Sequence, residues 1–331
     1  MTGRLPLPML VSMLVLSCLL ASVAISSDRD AARSDQGFSR RTIEIRGIAR
    51  TYRVRAPAKG KAPTAIVVML HGHGGSAERL TGEHGGAAPY RRWNAIADRE
   101  GLLLVAAQGL AGGDGKAGWN DCRADADSNP ETDDVGFLVA MIAALRREYV
   151  LQSGRTYAIG SSNGGQMALR LAIEQPGSID AVAVAVGSLP ARSECVPPMR
   201  PAPAVFFNGT DDPLLPFAGG CVGQDRFERG TVLSTEATLA RWARLTHASP
   251  NPLTRSLPDL DGDDGTRATR VAYLDASDRP TAMLYRIEGG GHLEPSRSER
   301  YRAWLIALLG RQNGDIEMAD EAWAFFREHG R

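Results

Sequence analysis

A short run, Gly160-Ser161-Ser162-Asn163-Gly164, follows the apolar stretch Thr156-Tyr157-Ala158-Ile159 and precedes a helix-like segment. A serine on a tight strand-to-helix turn needs small neighbours, because the backbone closes sharply and other elements approach it closely. Such a turn holds the Ser162 hydroxyl clear of a sheet and sets the Asn163 N–H near a helix N-terminus, where it can stabilise an oxyanion. A serine hydroxyl is a weak nucleophile without a base, and the base needs a third group to orient it. In a chain with 36 glycines the Gly-x-Ser-x-Gly spacing is a weak signal by itself. The order of its partners carries the weight.

Those partners occur in the order expected of a Ser-acid-His set on a mainly parallel sheet. Upstream, Leu70-His71-Gly72-His73-Gly74-Gly75-Ser76 closes an apolar run, and its glycines let backbone N–H groups approach a carbonyl oxygen without Cβ obstruction. The N–H groups of His73 and Asn163 are the expected oxyanion donors. The turn lacks the Lys-Ser/Thr ending of a phosphate-binding loop and the spacing of a dinucleotide fingerprint. Downstream, Asn208-Gly209-Thr210-Asp211-Asp212-Pro213 ends the strand-like Val205-Phe206-Phe207. Asp212 is the expected acid, with Pro213 stiffening its backbone, and Asp211 reads as a turn residue. Gly289-Gly290-Gly291-His292 comes last, after Leu284-Tyr285-Arg286-Ile287. Of the six histidines only His292 satisfies the order, as general base for Ser162 and then general acid for a leaving group.

The elements that must position these residues alternate in kind. Thr42 to Arg46 and Thr51 to Arg55 alternate in polarity about a Gly47 turn, which predicts an antiparallel hairpin. Ala65 to Leu70 is a continuous apolar run, as in a strand covered on both faces. Helix-like Tyr90–Arg99, Val135–Tyr149, Gln166–Ile173 and Thr235–Leu245 alternate with strand-like Leu102–Ala107, Thr156–Ile159, Ala181–Val186, Ala204–Phe207 and Ala282–Ile287; Ala319–Phe326 closes as a helix. The expectation is an α/β class chain with a mainly parallel central sheet and helices on both faces. Pro250 to Thr269, rich in Pro, Asp and Gly, reads as loop; its Asp259–Asp263 run resembles a calcium loop but lacks the Gly and closing Glu that an EF-hand requires.

A chain of 331 residues, 43% hydrophobic and 23% charged, suits one catalytic domain, expected over residues 42–331. Zero formal net charge without charge blocks argues against nucleic acid or an anionic surface as the main partner and makes a neutral or mixed substrate the simpler expectation, whether a small molecule, a polysaccharide or a polyester. Residues 1–24 read as a signal peptide, with Arg4, an apolar Met9–Ala21 and small residues at Ser22-Val23-Ala24, and residues 25–41 as a flexible lead-in. The expected location is periplasmic or extracellular, without stable membrane insertion; lipidation at Cys18 is disfavoured by the apolar residues after it. Cys122, Cys195 and Cys221 then allow one disulfide, of undetermined pairing, and match no zinc spacing. Neither a metal nor a cofactor is expected.

With those residues in hand, the chain resembles the polyhydroxybutyrate depolymerase family of secreted esterases, which includes feruloyl and acetyl xylan esterases. The resemblance spans roughly Ile43 to Arg327. It rests on the Leu-His-Gly-x-Gly-Gly-Ser turn, Trp93-Asn94 with Ala97–Gly101, Gly118-Trp119-Asn120, Asp133–Phe137, the Gly-Thr-x-Asp-x-x-x-Pro run ending at Pro216, and Gly-Gly-Gly-His. It implies an α/β-hydrolase fold and carboxylic ester hydrolysis through an acyl-enzyme, and it too selects Asp212 over Asp211. A serine peptidase of the same fold and a non-catalytic envelope binding protein are the rival classes. Leu293-Glu294-Pro295 stands where the family has Thr-Trp-Pro, which removes an aromatic wall beside the site. Trp119 is a candidate cleft residue, although a tryptophan beside a glycine is more often packed. Asp133 and Asp134 read as helix caps.

Overall fold

The computed structural model describes residues 37–57, 61–85, 88–151, 153–195, 200–223 and 229–330. The expected signal peptide and residues 25–36 of the lead-in lie outside them, whereas Ser39 to Arg41, expected to be flexible, belong to a strand. In chain order the strands are β1 (Ser39–Ile45), β2 (Ile48–Arg55), β3 (Ala65–Leu70), β4 (Leu102–Ala107), β5 (Leu110–Ala111), β6 (Ala117–Gly118), β7 (Arg155–Ser161), β8 (Ala181–Ala185), β9 (Ala204–Gly209), β10 (Gly220–Cys221), β11 (Thr231–Val232), β12 (Leu253–Ser256), β13 (Arg267–Leu274) and β14 (Pro280–Glu288). The helices are α1 (Ala77–Leu80), α2 (Arg92–Glu100), α3 (Asp134–Glu148), α4 (Asn163–Glu174), α5 (Thr235–Leu245), α6 (Ala303–Leu309) and α7 (Met318–Arg327).

One ten-stranded sheet runs β1-β2-β4-β3-β7-β8-β9-β14-β13-β12. The stretch from β4 to β14 is parallel throughout, and the pairs at both flanks are antiparallel. Every residue of β3, β4, β8 and β9 is buried, as an apolar run covered on both faces requires. Alternate β3 side chains divide between two cores. Ile66, Val68 and Leu70 pack in one with Phe137 and Met141 of α3 and Met167 and Leu171 of α4. Val67 and Met69 pack in the other with Trp93 of α2 and Phe325 and Phe326 of α7. Burying each such side chain contributes about 1.5–3 kcal/mol relative to exposure.

The hairpin begins at Ser39, three residues earlier than its apolar alternation indicates, because Ser39 to Arg41 join through backbone pairing to Val54, Arg53 and Tyr52. A larger correction concerns Pro250 to Thr269. The segment is not all loop: Leu253–Ser256 forms β12, and Arg267 starts β13. All four β12 residues are exposed at the sheet edge, so backbone pairing to β13 holds the strand without any hydrophobic period to betray it.

Asp133 caps α3 by accepting the Gly136 N–H at 2.8 Å, but Asp134 does something else. Its carboxylate is buried and meets Arg50 of β2 at 2.6 Å, while its other oxygen accepts the Asn120 N–H at 2.8 Å. The Arg50 guanidinium also lies 4.1 Å from the Phe137 ring centre. Burial pushes the Asp134 carboxyl up, with Arg50 opposing. A disulfide joins Cys122 to Cys195 across 73 residues with their Cα atoms 5.2 Å apart, and Cys221 takes no part in it. Arg50→Met would leave the Asp134 charge buried without its partner and is expected to lower unfolding stability at pH 7 by about 3–5 kcal/mol, read by urea denaturation.

Candidate active site

The carboxyl ends of β3, β7, β9 and β14 converge, and each delivers one of the sequence-selected segments. Ser162 lies between β7 and α4 with φ 52° and ψ −121°, in a region that L-residues avoid. Its N–H donates to Ala185 O at 2.8 Å and its carbonyl accepts the Gln166 N–H at 2.9 Å, so the strained turn is anchored on both sides. The two glycines of the pentapeptide are explained by contact. A Cβ at Gly160 would lie 2.2 Å from Gly164 O, and one at Gly164 would lie 2.3 Å from Leu70 O and 2.4 Å from His71 O. The elbow therefore presses directly on the end of β3.

That end is the Gly-rich turn. A Cβ at Gly72 would come within 3.5 Å of Ser162 Cβ, which sets the turn against the serine. Buried His71 is a structural member of it: Nε2 accepts the Gly109 N–H at 3.0 Å, so Nδ1 carries the proton and donates to Gly72 O at 2.8 Å. Burial lowers the His71 pKa to about 4, which keeps the ring neutral and preserves this tautomer. His73, next along, contacts Asp114 through Nε2 at 2.8 Å.

Asn163 opens α4, where the first-turn N–H groups have no acceptor within the helix. Its side chain is held from three directions. Oδ1 accepts the Trp119 N–H at 2.8 Å, and Nδ2 donates to Trp119 O at 2.9 Å and to Asp121 Oδ2 at 2.6 Å. Asp121 is itself buried in an ion pair with Arg123 at 2.7 Å. Sequence reasoning missed this Asp121–Arg123 support, since two opposite charges two residues apart usually mark a solvated turn. Trp119 is fully buried and donates its indole N–H to His71 O at 2.8 Å; its ring braces the underside of the turn instead of lining a cleft.

Asp212 and His292 are in contact. His292 Nδ1 lies 2.7 Å from Asp212 Oδ2, while Asp212 Oδ1 accepts the N–H groups of Leu214 and Leu215, each at 2.8 Å. The carboxylate is thus aimed by its own loop. Asp211 is exposed and faces Thr210 Oγ1 at 3.1 Å. The two loops touch backbone to backbone: a Cβ at Gly209 would lie 2.2 Å from Gly290 O, and one at Gly291 would lie 2.1 Å from Leu309 O. The N–H of His292 donates to Leu309 O at 2.6 Å. Burial presses the His292 ring toward neutrality, but the Asp212 carboxylate, aided by Glu294, outweighs it and holds the pKa above the usual histidine value.

A cavity of about 210 Å³ is bounded by His71, Gly72, Ser161, Tyr90, Glu294 and Tyr301, and reaches the neighbourhood of Ser162 through Gly72. Tyr301 donates to Glu294 Oε2 at 2.8 Å, while the buried Tyr90 hydroxyl has no hydrogen-bond partner among the described residues. Tyr301 returns an aromatic ring to the neighbourhood of the Leu293-Glu294-Pro295 segment, from nine residues beyond the histidine. Such a distant replacement leaves no local sequence signal. The Asp259–Asp263 run is engaged with cations, Asp259 with Arg267 at 2.8 Å and Asp261 with Arg300 at 3.3 Å.

The chain is 30% identical over 304 residues to the putative esterase NocK of Nocardia uniformis subsp. tsuyamanensis, spanning 88% of this chain and 83% of that relative. It is 25% identical over 295 residues to feruloyl esterase D of Neurospora crassa, spanning 87% and 89% respectively. The solved acetyl xylan esterase from Aspergillus awamori superposes with a TM-score of 0.54 over 84% of this chain and 94% of that one, at 12% identity, a likeness of fold. No family model matches the chain.

Because the elbow and the end of β3 are in backbone contact, Gly164→Ala is expected to destabilise the fold by at least about 1–3 kcal/mol. A lowered urea midpoint beside an unchanged one for Gly177→Ala, where a Cβ meets nothing within 4 Å, checks this.

Proposed function

Because this chain belongs to the esterase family of the α/β-hydrolase superfamily that contains the putative esterase NocK and the feruloyl esterases, and is a carboxylic ester hydrolase, we propose that Ser162, His292 and Asp212 form its catalytic triad. The observation that carries this reading is the His292–Asp212 contact of 2.7 Å at the carboxyl end of the strand layer that also presents Ser162. With Nδ1 donating to Asp212, the other ring nitrogen of neutral His292 holds a lone pair for the serine proton. The Ser162 hydroxyl makes no hydrogen bond among the described residues, and the triad reading requires His292 Nε2 to reach it in the substrate complex.

In the first half-reaction Ser162 Oγ bonds to the ester carbonyl carbon while His292 Nε2 takes its proton. The carbonyl electron pair moves onto oxygen, where the N–H groups of His73 and Asn163 receive it; one such donor contributes about 3–4 kcal/mol to the transition state. Collapse breaks the carbon–oxygen bond to the alcohol, which leaves with the proton from His292. Water then repeats the sequence on the acyl-serine, releasing the acid and restoring the enzyme. Asp212 stabilises the imidazolium formed in each half. Short-chain esters, hydroxybutyrate-type esters and feruloyl or acetyl side-chain esters of plant polysaccharides are the substrate classes in view. The Cys122–Cys195 disulfide supports an oxidising location and hence export, in keeping with the apolar leader. Among the described residues no helix is long and apolar enough to cross a membrane.

Two outcomes test the triad. Ser162→Ala should abolish turnover of 4-nitrophenyl butyrate, and Asp212→Asn should lower kcat by about ten-thousandfold; retained turnover in Ser162→Ala refutes the assignment. His292 acts as base only when neutral, and its pKa is raised. The acid limb of kcat/KM against pH should therefore fall above 6.5, and Asp212→Asn should move the residual limb downward, since burial then acts without the carboxylate.

A further inference from the structure

Beyond the inner cavity lies a wider groove of about 860 Å³, lined among others by Arg79, His84, Tyr301, Arg302, Trp304 and Leu305. The two spaces share Gly75, Ser76, Arg79 and Tyr301, so the groove continues the path that starts at Gly72 and Ser161 beside the serine. Among the described residues no acidic one lines it. The nearby carboxylates are engaged elsewhere: Glu78 with Arg53 at 3.1 Å, Glu299 with Arg91, and Glu294 with the Tyr301 hydroxyl at 2.8 Å. By contrast, the guanidinium groups of Arg79 and Arg302 make no hydrogen bond or ion pair among the described residues. Immediately after Arg302, α6 has no buried residue and exposes Trp304 and Leu308, at 64% and 65%, which is unusual for a helix whose sequence is wholly apolar.

We propose that this groove selects esters that carry a carboxylate at the end of an apolar arm, with the charge held by Arg79 and Arg302 and the arm lying along Trp304 and Leu305. The proposal rests on the esterase reading and adds the substrate's charge to it. Guanidinium groups pair with carboxylates through parallel N–H···O bonds, and an apolar rim strengthens that pairing by removing water. The spacing follows from the inner cavity. Glu294 stands there, and its charge repels a carboxylate placed close to the scissile bond, so the anion belongs in the outer groove, several bonds from the ester carbonyl. The buried Tyr90 hydroxyl is available to a neutral oxygen on the way.

The charged arm could belong to the acyl or to the alcohol half, and two matched pairs separate them. Mono-4-nitrophenyl adipate is compared with 4-nitrophenyl hexanoate for the acyl half, and 5-carboxypentyl acetate with hexyl acetate, by pH-stat, for the alcohol half. The ratio of kcat/KM for the anionic to the neutral ester should favour the anion in one pair and weaken as salt is added. The Arg79→Gln/Arg302→Gln double variant should lower that ratio by about tenfold or more, and Arg79→Lys/Arg302→Lys should recover part of it. A wild-type ratio near one in both pairs, or a ratio unchanged in the Gln variant, overturns the proposal. Failure of the wild-type protein to hydrolyse any of the four esters overturns the esterase reading beneath it.

Discussion

Backbone pressed against backbone is the constraint on which the site depends. At the carboxyl end of the sheet, Gly160 lets the elbow close on Gly164, Gly164 brings it onto the carbonyls of Leu70 and His71, and Gly209 and Gly291 bring the acid and histidine loops onto Gly290 and Leu309. Side chains at these positions would force the four segments apart. Removing them lets the elbow meet the His71–Gly75 turn and the acid loop meet the histidine loop, although these segments come from strands spread over more than two hundred residues of sequence. The sheet makes this geometry rigid, because β3, β7, β8, β9 and β14 are adjacent parallel strands buried on both faces.

Around those contacts sits a polar scaffold whose members are each satisfied. Neutral His71 ties the turn to Gly109, Trp119 ties it to Asn163, and Asn163 is tied to the Asp121–Arg123 pair. Such buried networks are costly when incomplete and orienting when complete. Their effect here is to hold the first turn of α4 and the Gly-rich turn in fixed relation to Ser162, so the N–H groups that would receive an oxyanion need no rearrangement during reaction. The electrostatic side is similarly divided: burial keeps His71 neutral, whereas a carboxylate keeps His292 easily protonated.

Much of this was legible in the residues because the constraints are local. An all-apolar run such as Ala65–Leu70 has few uses besides a doubly covered strand, and the glycines flanking Ser162 and His292 report close approach directly. What escaped was nonlocal or lacked a hydrophobic signature. β12 is exposed along its whole length and held by backbone pairing alone. Asp134 occupies a helix-start position that suits a cap, yet Arg50, far away in sequence, draws it inward. The Cys122–Cys195 pairing and the Tyr301 ring beside Glu294 depend on how distant loops fold together. Trp119 looked like either a cleft wall or a packed residue, and its indole hydrogen bond to His71 O places it in the second class.

The central claim is that Ser162 carries the acyl group during turnover. Rapid acid quench of the enzyme with 4-nitrophenyl butyrate in the pre-steady state, followed by peptide mass spectrometry, tests it most directly. The account predicts one butyryl increment, confined to the peptide bearing Ser162 and localised to that residue. A burst of 4-nitrophenol with the butyryl group on Ser161, Cys221 or any other residue, or turnover with no acylated peptide at all, would contradict it.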